Sequence, residues 1–328
     1  MEHAVGPYRG TLYRFALAVS AVTAVLAFAI LSGGFAATWG AFEDIRRYAD
    51  RNIANEDSYY AYADGGTESL VGPGFVVFAL ALVLALLCVS VLHSGYAVGA
   101  AHLRRGGDPL SVGELWRRSR ARLASSVVTN LLTALVVAAV VFAGLVLFDL
   151  AQRERIPGVE RTDLHETATP QYAVVGFVVP IVIWCLGPLL WFRLSGATAE
   201  TVLEGRSPFV AVYRSWVLTR RARARAFGLG LVCCAAAVAV FVAGRWLFQP
   251  FNHYAGLGML WLSGDNVWIT GMLMKVLPTV VALLLVPPLV MPLVSGEVAR
   301  LHGELRADEE TAAGSARSAD AAPPSSGP

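Results

Sequence analysis

Six apolar runs of about 20 residues or more dominate the sequence, at approximately 12–38, 72–100, 127–150, 172–197, 227–248 and 268–294. A helix rises 1.5 Å per residue, so each run is long enough to cross roughly 30 Å of hydrocarbon. In lipid every backbone amide needs a partner within its own segment, and a single segment meets that demand only as a helix. The expected fold is therefore all-α: a polytopic membrane protein with six transmembrane helices. A membrane barrel would need alternating strands of about ten residues, and the sequence holds none.

Composition agrees with that reading. Counting Gly and leaving out Tyr, the apolar share is about 62%, against roughly 45–50% in soluble domains, and only 15% of the chain is charged. An ordinary soluble enzyme and a disordered chain are both excluded. The net charge of +2 carries no general preference for nucleic acid. Lys275 is the one lysine among 26 basic residues, a bias toward Arg that fits GC-rich bacterial coding. Cys88, Cys185, Cys233 and Cys234 all lie inside apolar runs without CxxC spacing or neighbouring His, so neither a disulfide nor a zinc site is expected. The first run, Phe15 to Ala37, exceeds the 7–15 residues of a signal core and is read as a retained span.

The basic residues set the orientation. Arg104, Arg105, Arg117, Arg118, Arg120 and Arg122 fall between spans two and three. Arg206, Arg214, Arg220, Arg221, Arg223 and Arg225 fall between spans four and five. The other connections carry three, three and none, and the first of them is rich in carboxylates, including Glu43, Asp44, Asp50, Glu56, Asp57 and Asp64. Under the positive-inside rule both termini and the Arg-rich segments are cytoplasmic, in a bacterial plasma membrane. Trp39, Trp246, Trp261 and Trp268 then mark the outer boundary, and Tyr8, Tyr13, Trp116 and Trp216 the inner one.

An internal period of about 100 residues is visible. Spans two, four and six close with Ser94-Gly95, Ser195-Gly196 and Ser295-Gly296, at offsets of 101 and 100 residues. Each pair is followed by a short helical continuation to Gly106, Gly205 or Gly303, and the third copy is expected to stop there. The chain thus reads as three parallel helix hairpins, with the small residues serving close helix packing. Two cytoplasmic amphipathic helices follow the first two copies. Ser111 to Glu114 forms a capping box ahead of Val112, Leu115, Trp116 and Ser119 on one face. Ser207 and Pro208 open the second, with Phe209, Val212, Tyr213 and Trp216 at helical spacing. Such helices lie in the membrane interface with Arg toward anionic headgroups, while topology signalling alone explains the Arg clusters equally well. Arg117, Arg118, Arg120, Arg122, Arg214, Arg220 and Arg221 are the candidate contacts to lipid or a protein partner.

At the second of these helices the pattern Tyr213-Arg214-Ser215-Trp216-Val217-Leu218-Thr219-Arg220, then Phe227-Gly228 and Leu231, resembles the glycerophosphoryl diester phosphodiesterase membrane-domain family. Gly113 to Arg118 with Leu123 is similar in style. The resemblance implies an integral membrane domain of undefined role. In fused members a soluble barrel performs hydrolysis, and the polar residues after Leu305 hold no such barrel.

Catalytic chemistry has little support. No HExxH, GxSxG, P-loop or paired-carboxylate motif is present, so no catalytic residue, metal ligand or cofactor site is assigned, and no enzyme is expected. His93, Arg193, Arg245 and Lys275 lie near span ends, where they can snorkel. Gly72-Pro73-Gly74 reads as a turn opening span two. Pro180 and Pro188 in span four, and Pro278, Pro287, Pro288 and Pro292 in span six, predict kinks. Kinked spans leave open a permease for a small molecule or lipid, with Arg193, Ser195 and Thr198 as candidate substrate contacts. The leading expectation is a membrane scaffold or accessory subunit that contacts anionic lipid, a partner or a second copy, with no nucleic acid involved. Residues 1–306 form the membrane domain and 307–328 a disordered cytoplasmic tail.

Overall fold

Helices carry all six apolar runs. The computed structural model describes residues 6–54, 68–108, 110–159, 169–221 and 223–320, and no strand occurs among them. The six long apolar elements are α1 (Gly6–Ala54), α2 (Glu68–Arg104), α4 (Leu123–Gln152), a composite fourth element, α9 (Arg223–Leu262) and α10 (Val267–Asp320). The fourth element chains α5 (Pro170–Ala173), a π-helical turn (Val174–Val178), α6 (Val179–Leu194) and α7 (Gly196–Glu204). Two shorter helices, α3 (Val112–Arg120) and α8 (Pro208–Arg221), complete the elements among the described residues. Each of the six is long and apolar enough to cross a membrane. Large apolar side chains such as Phe28, Phe78, Phe142, Val238 and Leu283 stand exposed along them, a surface that hydrocarbon tolerates and water does not.

The helices run further than the apolar runs. In α1 the chain continues past position 38, burying Phe42, Ile45 and Ala49 while Asp44 and Arg47 pair on the open side at 2.9 Å. That amphipathic period holds the helix together beyond the apolar stretch. The segment after Phe248, expected as an outer loop, is instead helical through Pro250 to Leu262. Gly72-Pro73-Gly74 is not a turn: α2 begins at Glu68, and Pro73 deprives only the carbonyl of exposed Ser69 of its helical bond. Nor does the last helix stop at Gly303 or give way to a structureless tail at Ala307. It extends to Asp320, where Ala and Glu, both strong helix formers, dominate the sequence.

The chain divides into two compact units, of which one comprises residues 1–92, 109–115 and 235–293. Its core joins Phe42 and Ile45 of α1 to Ile269 of α10, with Trp39, Leu70, Met259 and Trp268 packed around them. Asn266 locks that junction. Its carboxamide oxygen accepts from the Trp268 and Ile269 amides at 3.1 and 3.4 Å, capping α10, while its nitrogen donates to the Phe42 carbonyl at 3.1 Å. Arg46 donates to the Gly264 carbonyl in the preceding turn.

The second unit comprises residues 93–108, 116–234 and 294–328. Here α4 packs against α6, α7 and α8. The α4–α6 approach needs Gly144: a Cβ there would fall 2.6 Å from Nε1 of Trp184 and 3.1 Å from Ile183. The π-helical turn precedes Pro180, whose ring denies a bond to the Gly176 carbonyl, so the irregularity and the proline lie together. Tyr172 covers Gly176 and donates its hydroxyl to Gln152 at 3.0 Å, tying α5 to the end of α4. Replacing Gly144 with Leu should force α4 from α6 and cost about 1–3 kcal/mol. Unfolding in detergent titrated with dodecyl sulfate would measure it, and a midpoint equal to the wild type would refute the close approach.

Candidate functional site

A polar stripe interrupts the apolar surface of α4 at its first turns. Ser126, Thr129, Asn130 and Thr133 recur at i, i+3, i+4 and i+7, and all four are buried. Burial of polar groups demands partners, and the neighbouring helices supply them. Thr129 meets the hydroxyl of Thr201 on α7 at 3.0 Å. The Asn130 carboxamide oxygen accepts from Thr198 at 3.3 Å and lies 3.3 Å from Nδ1 of His93 on α2, while its nitrogen donates to the Ser126 carbonyl at 3.0 Å. Thr129, Thr133 and Thr201 also donate back to carbonyls one turn earlier. Each interhelical bond of this kind contributes about 1 kcal/mol in lipid. Together they fasten α2, α4 and α7 at one level.

Beyond that stripe the chain turns twice. Ser195 closes α6 by donating to the Phe192 carbonyl at 2.8 Å, and α7 then runs to Gly205. Gly205 takes the left-handed conformation (φ 66°) and returns its amide to the Thr201 carbonyl at 3.1 Å, the usual helix stop that a side chain would strain. Three residues later α8 begins at Pro208.

Two clamps hold the inner face of α8, which buries Ala211, Ser215, Leu218 and Thr219. The first is Arg193 at the end of α6. Its guanidinium lies over the Trp216 ring, 3.7 Å from the centroid, and donates to the Trp216 carbonyl at 3.3 Å and to Thr219 at 3.5 Å. Ser215 donates in return to the Arg193 carbonyl at 2.8 Å. The second is Glu200 on α7, which is 0% exposed and lies 3.4 Å from Nε of Arg206 and 3.8 Å from Nε of Arg214. Arg206 also meets Glu204 at 2.7 Å. An ionised carboxylate at this burial requires both counter-charges.

The outer face of α8 is different in kind. Phe209 and Tyr213 are 72% and 70% exposed, with Val210 and Val217 also open and Arg220 beside them. On α3, Leu115 and Ser119 are buried while Trp116, Arg117, Arg118 and Arg120 are exposed. Ser111 accepts from the Glu114 amide at 3.2 Å, as the capping pattern predicts.

The predicted residues separate accordingly. Arg117, Arg118, Arg120, Arg122 and Arg220 are exposed, whereas Arg214 is directed to Glu200. The side chain of Arg221 lies outside the described residues. The three candidate substrate contacts do not converge: Arg193 is held on Trp216, Ser195 bonds Phe192 and Thr198 bonds Asn130. The Ser-Gly pairs differ in their surroundings. Ser94 and Gly95 are buried inside unbroken α2, Ser195-Gly196 marks the α6–α7 break, and Ser295-Gly296 continues α10 with the Ser295 side chain outside the described residues. Sequence reasoning missed the Asn130 network and the Glu200 clamp. The signal for the first was present as four polar residues at helical spacing in an apolar run. The second joins residues whose pairing depends on the turn at Gly205.

Among the described residues no three His, Cys, Asp or Glu side chains group as a metal site. Comparison of the chain with protein-family models, with curated proteins and with solved structures found no match. Replacing Glu200 with Gln should take the buried carboxylate from Arg214 and leave Arg206 with Glu204 alone. The expected cost is about 2–3 kcal/mol, below that for a fully buried pair because both guanidinium groups reach solvent. Hydrogen exchange across 208–221 should accelerate, and unchanged exchange together with an unchanged melting temperature would rule the clamp out.

Proposed function

We propose that this chain is a bacterial plasma-membrane protein without catalytic activity, a scaffold or accessory subunit whose Arg-rich, cytoplasmic end binds anionic lipid. One observation carries the reading: α8 is fixed on its inner face by Arg193 and Glu200 yet presents Phe209, Tyr213 and Val217 outward beside Arg220. A helix held in that way sits in the interface, with its aromatic side in the acyl boundary and its cations among headgroups. Each cation near an anionic surface contributes about 1 kcal/mol. The exposed Trp116, Arg117 and Arg118 of α3 support the same role. Contacts of Gly34 in α1 with Val77 in α2, of α4 with α6, and of Gly244 in α9 with Leu285 in α10 support three helix hairpins. The resemblance to the glycerophosphoryl diester phosphodiesterase membrane-domain family contributes an integral membrane domain and nothing about its activity.

A permease is the competing reading, favoured by the π-helical turn and two prolines of the fourth span. Against it, Arg193, Ser195 and Thr198 each engage a protein partner rather than an open path. The test uses a variant with Cys88, Cys185, Cys233 and Cys234 changed to Ala and a nitroxide attached at Phe209→Cys or Tyr213→Cys. In bilayers containing phosphatidylglycerol, oxygen should relax the label more than a water-soluble nickel complex does. Relaxation dominated by nickel at both positions would sink the interfacial helix.

A further inference from the structure

Arg206 and Arg214 meet Glu200 and Glu204 at the end of α7, and Arg122, just before α4, lies against the adjoining Gly205. Glu200 and Glu204 are taken by Arg206 and Arg214. Arg122 is exposed and forms no ion pair among the described residues. Gly205 makes the room it occupies. A Cβ on Gly205 would fall 3.1 Å from Nη2 and 3.2 Å from Cζ of Arg122, and closer still to Nη1. The Arg122 guanidinium therefore rests over the left-handed turn, where the negative end of α7 helps to hold it.

Its position along the chain says what it meets. Arg122 directly precedes Leu123, the first residue of apolar α4, so it stands at the edge of the hydrocarbon, the depth of a lipid phosphate. Arg206 follows Gly205 and keeps 30% of its side chain exposed. A planar guanidinium grips a phosphate through two parallel N–H bonds, which suits it to this ligand better than a point charge.

We infer that Arg122 and Arg206 form a site for one phosphate oxyanion, delivered by the headgroup of an anionic phospholipid. The inference rests on the anionic-lipid reading above and narrows it to one headgroup at a defined place. The other exposed arginines, Arg117, Arg118 and Arg120, act by general attraction to the surface. Binding at Arg122 would set the junction of α4, α7 and α8 at headgroup depth, and with it the depth of α8.

The experiment is native mass spectrometry of the full chain, released from nanodiscs of phosphatidylglycerol and phosphatidylcholine, for the wild type, Arg122→Gln, Arg122→Lys and Arg118→Gln. The wild type should retain phosphatidylglycerol in preference to phosphatidylcholine, and Arg122→Gln should lower that preference about tenfold. Arg122→Lys should fall between them, which separates loss of the site from misfolding, and Arg118→Gln should stay near the wild type. A parallel arm titrates inorganic phosphate into detergent-solubilised protein and follows the melting temperature. Stabilisation by phosphate that Arg122→Gln abolishes, with lipid retention unchanged, upholds the oxyanion site but overturns its lipid source. Equal behaviour of wild type and Arg122→Gln in both arms overturns the site. In that case a preserved preference for phosphatidylglycerol leaves the anionic-lipid reading standing, and its absence in the wild type removes both.

Discussion

Hydrocarbon offers the backbone no hydrogen-bond partner, and nearly every feature of this protein follows from that constraint. It makes each span a helix and leaves the polar side chains to find partners in neighbouring helices or at the ends. In the second unit they do so at one level, where Asn130, Thr129, Thr198, Thr201 and His93 join three helices. In the first, Asn266 satisfies two amides of α10 and a carbonyl of α1 with one side chain. The polar groups of the network are used to hold helices together.

The same economy explains α8. A short helix packed on one side only would be free to lift away unless its inner face were anchored. Arg193 anchors it through an aromatic ring and two hydrogen bonds, and Glu200 anchors it through Arg214. Both anchors reach across the turn at Gly205 to α8, so α6, α7 and α8 are fixed as one piece. What remains outward is aromatic and basic, the combination that a membrane interface accepts.

Much of this was legible in the sequence, for physical reasons that can be named. The spans are visible because 20 or so residues without charge have few other uses. The caps at Ser111 and Gly205 are visible because their chemistry is local, completed within three or four residues. Non-local pairing was not visible. Arg214 reads as one more interfacial cation until the turn at Gly205 brings it to Glu200, and Arg193 reads as a substrate contact until Trp216 covers it. Helix ends were also misjudged: apolar content marks the membrane and not the helix, so α1, α9 and α10 continue beyond it on amphipathic spacing or on propensity.

The proposed sidedness has α3 and α8 in the cytoplasm and the turn between α9 and α10 outside, as the distribution of Arg predicts. Single cysteines at Arg118, Arg220, Asp50 and Asp265, in a background otherwise free of cysteine, test it with a membrane-impermeant maleimide on intact cells. The account predicts modification at Asp50→Cys and Asp265→Cys from outside, and at Arg118→Cys and Arg220→Cys only after the membrane is opened. Modification of Arg220→Cys in intact cells would contradict it.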